Sequence, residues 1–350
     1  MYSFKNDYSE GCHPAILQAL IESNGEQHSG YGFDMYSQQA ADLIREKLKS
    51  PSAAVHFISG GTQANLTVIA SILRPYESVI AVETGHILVH ETGAIEATGH
   101  KIEAVQSTDG KLRPADVISV LDKFEEIHKP IPRLVYISHP TEIGTHYTRA
   151  ELIALSQCCR ENGLYLFIDG ARLASGLCAS DITFPDLAKY TDVFYIGGTK
   201  SGALLGEAIV INNPVLQQNF IYNLKQRGAL LAKGRLLGIQ FKVLFSNDLF
   251  FEIGNHMNQM AAKLATAFQE QEYSFLTNSQ TNQIFPILPI SVIEKLQKKY
   301  DFYIWQKINS QESAIRLVTS WATKEAMIDQ FIEDLSVASE VEKKEVCEVQ

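Results

Sequence analysis

The chain has 350 residues, of which 45% are hydrophobic and 20% are charged, as is typical of a soluble globular protein with one large or two moderate domains. Its formal net charge of -10 argues against nucleic acid as a main partner, and no apolar run approaches the roughly 18 residues of a membrane span. Because the N-terminus has no signal-peptide core and the five cysteines have no repeated metal-ligand spacing, we expect a cytoplasmic protein with reduced thiols.

Hydrophobic periodicity predicts that strands and helices alternate along the chain. The predicted helices are at residues 13–23, 37–48, 66–73, 87–97, 114–128, 148–162, 214–226, 236–251, 257–270, 289–299 and 324–335. The predicted strands are at residues 53–58, 78–82, 101–105, 133–138, 164–169, 192–197, 208–211, 283–288, 302–307 and 314–321. Such alternation favours an α/β fold with a mostly parallel central sheet flanked by helices.

The composition changes near Asn255, which indicates a second lobe. We expect a large α/β domain at residues 1–250 and a small C-terminal α+β domain at residues 251–338. The remaining residues, 339–350, are rich in charge and predict a frayed tail.

An anion site is predicted where the strand at 53–58 runs into Gly60, Gly61 and Thr62. The first N–H groups of the following helix are free and lie at the positive end of the helix dipole. Gly61 would let a phosphate approach, and the hydroxyl of Thr62 could donate a hydrogen bond. An ordinary capped turn between a strand and a helix would have the same pattern.

Two histidines also follow predicted strands. His86 could lie flat on an aromatic ligand, although a lone histidine at such a position is more often structural. Glu91, five residues later, could hydrogen-bond within the same site or be an ordinary helix charge. His139 begins the segment after the strand at 133–138.

An acid and a lysine close two further strands, at Asp169 and Lys200. A lone lysine in a loop is usually solvated. Here the lysine follows two glycines, and a desolvated amine loses its proton easily and can attack a carbonyl carbon. An acid closing one strand and a lysine closing a later one hold pyridoxal 5'-phosphate (PLP) in many enzymes, where the lysine forms the Schiff base and the acid pairs with the pyridinium nitrogen.

Ligands of mostly parallel sheets bind outside the carboxyl ends of the strands. Five candidate residues lie at or just after predicted strand ends: Gly61, His86, His139, Asp169 and Lys200. We therefore expect one cofactor site at this edge of the sheet.

Five motifs occur in order along the chain: Gly-Gly-Thr-Gln-Ala-Asn at 60–65, Glu-Thr-Gly-His-Ile at 83–87, Ile-Asp-Gly-Ala-Arg at 168–172, Gly-Gly-Thr-Lys at 197–200 and Ile-Arg-Leu-Val-Thr-Ser-Trp at 315–321. Together they resemble the L-threonine aldolase family, also called the β-eliminating lyase group, of PLP enzymes with the aspartate aminotransferase-type fold (fold type I). The resemblance extends over roughly residues 4–335.

The resemblance implies a role for each matching residue on the cofactor. Lys200 matches the Schiff-base lysine, and Asp169 matches the carboxylate that keeps the pyridine nitrogen protonated. His86 matches the histidine that stacks on the ring. Gly61 and Thr62 match the phosphate-binding residues.

Substrate binding is implied for a further set of residues. Arg172 and Arg316 match the pair that holds the substrate carboxylate, for which a guanidinium is suited because it binds carboxylates bidentately. Asn6 falls where the family has a small polar residue near that carboxylate. An arginine alone could equally be a surface or interface ion pair.

Two departures from the family pattern bear on specificity. The family has a Thr-His-Asn segment where this chain has Thr141, Glu142 and Ile143, so Glu142 stands in place of the histidine proposed to touch the β-hydroxyl, with His139 nearby. In addition, Arg235 follows Lys233 in a basic segment, and either side chain could reach the phosphate across a subunit interface. Such departures fit a subgroup acting on bulkier β-hydroxy amino acids such as phenylserine, or one that carries out another Cα–Cβ or β-elimination reaction.

The resemblance implies a PLP-dependent aldehyde-lyase that cleaves the Cα–Cβ bond of L-threonine or a related β-hydroxy-α-amino acid to glycine and an aldehyde. The alternatives are a PLP-dependent aminotransferase or β-eliminating lyase and, from a different class, a catalytically idle protein of this fold. Because sites of this fold are commonly shared between subunits, we expect a homodimer or homotetramer that binds a small amino acid. We expect no metal, nucleic acid or membrane partner.

Overall fold

The structure is a computed structural model that describes residues 1–123 and 127–349. The strands are β1 (Tyr2–Ser3), β2 (Ala54–Ile58), β3 (Glu77–Val82), β4 (Lys101–Val105), β5 (Ile131–Ser138), β6 (Tyr165–Asp169), β7 (Val193–Gly197), β8 (Glu207–Ile211), β9 (Gln283–Ile284), β10 (Ile287–Pro289), β11 (Tyr300–Asp301), β12 (Tyr303–Lys307) and β13 (Glu312–Val318). The helices are α1 (Pro14–Glu22), α2 (Met35–Leu48), α3 (Gly61–Ile72), α4 (His86–Val89), α5 (Pro114–Leu121), α6 (Arg149–Glu161), α7 (Leu173–Ala179), α8 (Phe184–Tyr190), α9 (Pro214–Gln217), α10 (Phe220–Gln226), α11 (Arg235–Phe245), α12 (Leu249–Glu270), α13 (Ile290–Leu296) and α14 (Glu325–Val349).

A seven-stranded sheet with the order β2-β8-β7-β6-β5-β3-β4 forms the centre of the molecule. The strands from β4 through β3, β5 and β6 to β7 pair in parallel, and β8 is antiparallel to both of its neighbours, β7 and β2. All five residues of β7 are buried, which is typical of a central strand covered on both faces. The predicted α/β class with a mostly parallel sheet is confirmed.

Side chains of successive strand residues enter two separate cores, one on each face of this sheet. Ile168 and Ile196 belong to one core, together with Phe241 from α11. Their chain neighbours Phe167 and Tyr195 belong to the other core. This alternation follows from the two-residue period of a strand, and it also decides which strand-end side chains reach the site.

A second sheet is formed by β10, β13 and β12, with β9 pairing to β13, and all of these pairs are antiparallel. Its core contains Ile315 from β13, Phe331 from α14 and also Phe4 from the N-terminal segment. Strand β1 pairs in parallel with β11 in a separate two-stranded sheet, and Val318 N of β13 donates to the Phe4 carbonyl oxygen, so the first residues of the chain pack on the C-terminal strands. The expected boundary between residues 250 and 251 falls inside α12.

Two predicted helices are wrong because the backbone turns out of the helical conformation. The helix expected at 87–97 is reduced to the single turn of α4, since Thr92 and Gly93 have φ angles of 53° and 73°. The helix expected at 236–251 ends at Phe245, because Asn247 and the following residue adopt left-handed conformations before α12 begins.

Three further predicted helices have other bounds in the structure. The helix expected at 214–226 is divided into α9 and α10 at Asn219, which has a φ of 61°. The helix expected at 114–128 ends at Leu121, and part of that prediction, 124–126, lies outside the described residues. The last helix continues beyond residue 335 to Val349, so the residues expected as a tail extend it. Among the described helices, none is long and apolar enough to cross a lipid bilayer.

Candidate active site

The carboxyl ends of the parallel strands open into a cavity of about 700 Å³. The predicted site residues that line it are Gly61, Thr62, His86, Glu142, Arg172, Lys200 and Arg316. Asp169 lies directly behind this surface and contacts Tyr195, which is itself part of the lining. Residues from six separate parts of the sequence therefore meet at one edge of the sheet.

The N-terminus of α3 forms one end of the cavity. Helix α3 begins at Gly61 after an extended Gly60, and no side chain in the described part of the chain caps it. A Cβ atom on Gly60 would meet no atom within 4 Å, whereas one on Gly61 would lie 3.1 Å from the hydroxyl of Tyr195. The free N–H groups of the first turn therefore face a space that is open beside Gly60 and bounded by Tyr195 beside Gly61. Such a space is suited to an anion.

The carboxylate of Asp169 is buried and accepts hydrogen bonds on both oxygens. Oδ2 accepts from the Tyr136 hydroxyl at 2.6 Å and from Asn65 Nδ2 at 2.9 Å. Oδ1 accepts from the Tyr195 hydroxyl and from the backbone N–H of Ala171. Burial alone would raise the pKa of Asp169, but the charge of His86 and the hydrogen bonds outweigh it, and the pKa is lowered. A negative charge is thus held in a fixed orientation at the end of β6.

Lys200 is enclosed at the end of β7, and its amine forms no hydrogen bond or ion pair with any described residue. Burial and the charge of Arg172 lower its pKa, since both disfavour the ammonium form. The turn before it is held by Glu207, which accepts hydrogen bonds from Gly198 N at 2.8 Å and from Thr199 Oγ1 at 2.9 Å. The arrangement provides a nucleophilic amine with a fixed backbone.

His86 begins α4 and is half-buried in the cavity wall. Its Nδ1 lies 2.8 Å from Glu91 Oε1. Burial alone would lower the pKa of His86, but the hydrogen bond to Glu91 and the charges of Glu142 and Asp169 raise it overall. The one-turn length of α4 places Glu91 in the site instead of on a solvated helix face.

Arg172 is already paired, although it lines the cavity. Its Nε donates to Asp7 Oδ2 at 2.7 Å and its Nη2 donates to Asp7 Oδ1 at 3.1 Å. Asn282 Nδ2 also donates to Asp7 Oδ2, at 3.0 Å. Both partners of the ion pair are buried, so the guanidinium is fixed along one edge while Nη1 keeps no hydrogen-bond partner among the described residues.

Arg316 differs from Arg172 because it has no acidic partner in the described part of the chain. Its guanidinium carbon lies 5.1 Å from the ring centre of Tyr303 and 4.9 Å from that of Trp305. Its Nη2 donates to the Lys5 carbonyl oxygen at 3.2 Å, and its buried Nε lacks a partner. Burial and the charge of Arg172 lower its pKa. The two arginines can bind a carboxylate beside this aromatic wall.

Glu142 is 9% exposed and lines the cavity without a hydrogen bond or ion pair to any residue that the structure describes. It lies in the loop after β5, where the hydroxyls of Thr141 and Thr145 form a hydrogen bond of 2.7 Å. Its charge is close enough to raise the pKa of His86, and it opposes two arginines across the cavity. An unpaired carboxylate here can accept a proton or a cation.

Besides Asp169, which lies directly behind the wall, three residues from the sequence prediction do not line this cavity. His139 is 1% exposed and packs near Ser180 and Tyr147, and burial lowers its pKa to about 3. Asn6 accepts hydrogen bonds through its side chain from Tyr8 N and Ser9 Oγ, which closes a local turn.

Arg235, the third of these residues, donates to the carbonyl oxygens of Glu26 and Asn24 at 2.6 and 3.4 Å. These contacts tie α11 to the loop before α2 and lie away from the cavity of the same chain. Any contact of this guanidinium with a phosphate would need a second subunit.

Sequence reasoning missed the residues that hold the site together: Asp7, Asn65, Tyr136, Tyr195, Glu207 and Asn282. The tyrosines had a usable signal, since Tyr136 and Tyr195 alternate with buried residues on strands that end at the site. Asp7 had none, because its partner is 165 residues away in the sequence.

Comparison with known proteins identifies the family. Residues 7–290 match the beta-eliminating lyase family. A low-specificity L-threonine aldolase of Pseudomonas aeruginosa is 32% identical over 338 residues, which are 95% of this chain and 96% of that protein. A solved structure of a Leishmania major threonine aldolase is 50% identical, covers 97% of this chain and 100% of that chain, and has a TM-score of 0.96.

More distant structures share the fold alone. A mutant of Thermus thermophilus aspartate aminotransferase is 14% identical and has a TM-score of 0.71 over 97% of this chain. The predicted fold type I architecture and the predicted family are therefore both confirmed: this chain belongs to the beta-eliminating lyase family, on the scaffold that it shares with aspartate aminotransferase.

Proposed function

We propose that this chain is a PLP-dependent lyase that cleaves the Cα–Cβ bond of L-threonine, or of a related β-hydroxy-α-amino acid, to glycine and an aldehyde. The observation that carries the proposal is the half-buried, unpaired amine of Lys200, which shares one cavity with the free N-terminus of α3, while the paired carboxylate of Asp169 lies directly behind that cavity. Similarity to L-threonine aldolases over 95% of the chain supports the reaction class.

The residues of the cavity fit PLP. The amine of Lys200 would hold the cofactor as a Schiff base, and the N–H groups at Gly61 and Thr62 would hold its phosphate, because Gly60 leaves that space open. Asp169 would face the ring nitrogen and His86 would lie against the ring. When bound, PLP would supply an electron-withdrawing ring that stabilises negative charge on the Cα atom of the substrate.

Arg316 and Arg172 would bind the substrate carboxylate. Arg316 is suited to this because its Nε is buried without a partner among the described residues and would donate a hydrogen bond to a carboxylate. Arg172 would contribute its Nη1 side, since Asp7 occupies the other edge. Together they would orient Cα so that the bond to Cβ is the one that breaks.

The β-hydroxyl proton would pass to a group on the opposite wall, where Glu142 and His86 are the candidates. Both line the cavity, whereas His139 packs in the core on the other side of its segment. Trp305 and Tyr303 border the same space, which supports substrates with bulky β-substituents, including aromatic ones.

We also propose that the active form is a cytoplasmic homodimer or homotetramer in which Arg235 of one subunit approaches the phosphate site of another. The observation behind this is that Arg235 lies away from its own cavity, at the loop before α2. Sedimentation of a fully active monomer would contradict the assembly without affecting the lyase proposal.

Incubation with L-allo-threonine and L-threonine tests the function. We expect acetaldehyde and glycine in equal amounts, with no need for a keto-acid acceptor. An aminotransferase would require that acceptor, and a β-eliminating lyase would release ammonia and a keto acid. Either of those product patterns, with no glycine, would overturn the proposal.

A further inference from the structure

A buried chain of hydrogen bonds connects His86 to Asp169 behind the cavity. His86 Nδ1 lies 2.8 Å from Glu91 Oε1, and Asn65 Nδ2 donates to the same oxygen at 2.7 Å. The same Asn65 nitrogen donates to Asp169 Oδ2 at 2.9 Å. Asn65 lies on α3, so the helix that would bind the phosphate also links the two residues that would contact the ring. The proposed function uses neither Glu91 nor Asn65.

The centre of this chain is closed to solvent. The side chain of Glu91 has 0% exposure, and Asn65 is also fully buried. Glu91 Oε2 and Asn65 Oδ1 have no hydrogen-bond partner among the described residues. A buried carboxylate with one unsatisfied oxygen is costly unless a positive charge lies beside it. Burial raises the pKa of Glu91, and the hydrogen bonds with His86 and Asn65 oppose this rise. His86 is the group in hydrogen-bond contact with Glu91 that supplies a positive charge once it accepts a proton.

The geometry also determines which nitrogen of His86 is available. Since Nδ1 faces Glu91, Nε2 is the nitrogen left without a partner in the described part of the chain. A carboxylate on one imidazole nitrogen holds the proton there, leaves the other nitrogen as an acceptor and stabilises the imidazolium that forms when it accepts a proton.

We propose that Glu91 is a positioning residue that makes Nε2 of His86 the base for the β-hydroxyl, and that Asn65 holds Glu91 in this arrangement. The inference rests on the proposed function for the reaction itself. As the O–H bond breaks, its proton forms a bond to Nε2 and its electron pair forms the C=O bond of the aldehyde. The electron pair of the broken Cα–Cβ bond stays with Cα, which takes up a proton to give glycine.

Other charged groups also affect the protonation of His86, and their effects must be distinguished from that of Glu91. Glu142 and Asp169 favour its protonated form, from the loop after β5 and from the end of β6, whereas Lys200 opposes it from the end of β7. His90, on the same turn, has its ring centre 5.4 Å away and also opposes a second positive charge. A variant at Glu91 leaves all of these groups in place.

The first experiment measures the His86 side chain directly. In the full-length protein as purified, with ring-15N-labelled histidine, a titration followed by NMR should give a lower pKa for His86 in Glu91→Gln than in wild type. The matched control is Glu96→Gln, because Glu96 is exposed on the same loop. Glu91→Asp keeps the charge on a shorter side chain, so its His86 pKa should fall between the other two. An unchanged pKa in Glu91→Gln, or in Glu91→Asp if the first variant does not fold, would overturn the proposal.

The second experiment follows the pH dependence of kcat/KM with threonine. His86 must be unprotonated to accept a proton, so a lower His86 pKa should move the acidic limb of the profile to lower pH. The plateau should fall on the order of 10-fold or more, because a weaker base transfers the proton more slowly. A lower plateau with an unmoved limb would indicate a purely structural role and contradict the proposal. If wild type cleaves no β-hydroxy amino acid, the proposed function fails, while the NMR titration still reports on Glu91.

Discussion

Two regions of the cavity differ in how their polar groups are paired. Behind the wall that would face the PLP ring, Asp169 accepts four hydrogen bonds, from donors on α3, β5 and β7 and in the turn after β6. On the side open to the substrate, Lys200, Glu142 and the Nε atom of Arg316 have no hydrogen-bond partner among the described residues. The paired region fixes a charge before any ligand arrives, whereas the unpaired region gains its hydrogen bonds from the ligands.

The largest effect is expected in the unpaired region, at its amine. Lys200→Ala should lower aldehyde release by several orders of magnitude, because no other described residue of the cavity wall offers an amine. The free energy of unfolding should change little, since the amine of Lys200 forms no hydrogen bond or ion pair with a described residue that the substitution would break. A coupled assay of acetaldehyde, with urea unfolding as the control for folding, measures both. Turnover near that of wild type would remove Lys200 from the reaction.

A smaller loss of activity is expected from a substitution in the paired region. Asp169→Asn keeps the shape of the side chain and removes its charge, so the protein should retain PLP while kcat falls on the order of 100-fold. The visible absorbance of the purified variant measures the retained cofactor, and steady-state kinetics measure kcat. An unchanged kcat would mean that the charge of Asp169 does not serve the ring nitrogen.

The ion pair between Asp7 and Arg172 should dominate stability near the site. Asp7→Asn leaves a buried guanidinium uncompensated and should lower the free energy of unfolding by about 3–5 kcal/mol at neutral pH. The matched control is Asp301→Asn, which breaks the exposed contact of Asp301 with Lys5 at 3.5 Å and should cost at most about 1 kcal/mol. If urea unfolding gave equal losses of unfolding free energy for the two variants, the expected difference between the buried and the exposed ion pair would be wrong.

Because of the ion pair between Asp7 and Arg172, we also expect the free energy of unfolding to depend on pH. Burial alone would raise the pKa of Asp7, but Arg172 and Lys200 lower it overall, so the folded protein holds the carboxylate more strongly than the unfolded chain does. Its contribution to stability is therefore present above the usual aspartate pKa of about 3.9 and is lost as the pH falls further. The difference in stability between wild type and Asp7→Asn should shrink below that pH.

Glu207 should have the smallest effect on stability, and its contribution should depend on pH in the opposite direction to that of Asp7. Burial raises its pKa to about 7, so the folded state binds a proton that the unfolded chain has released. Stability should therefore fall between about pH 4.5 and 7, by on the order of 3 kcal/mol, and level off above that range. In Glu207→Gln this fall should be absent, as measured by urea midpoints across the range. The same slope in both proteins would assign it to other groups.

The sequence predicts the position of the site better than its internal contacts. Asp169 and Lys200 could be placed because a strand has a regular period and parallel strands end at one edge of a sheet. The side chains of β5 alternate between the two cores, with Tyr136 on one face and Ile137 on the other, so the third residue after Tyr136 points away from the site. That residue is His139, and the same alternation could have excluded it from the sequence.

Contacts between distant segments could not be predicted in this way. Asn65 reaches Asp169 across 104 residues, and Asp7 reaches Arg172 across 165 residues, next to the pairing of β1 with β11. The short α4 was missed for a local reason, since the left-handed conformation of Thr92 is rare for a residue with a branched β-carbon. These tertiary pairings determine what Glu91 and Arg172 contact, and no sequence pattern predicts them.

Covalent trapping tests most directly that Lys200 is the residue that holds the cofactor. The purified protein is incubated with PLP, reduced with borohydride and digested, and the peptides are analysed by mass spectrometry. We predict one modified lysine, at position 200, and no modification of the corresponding peptide in Lys200→Ala. Modification of another lysine, or none in wild type, would contradict the account.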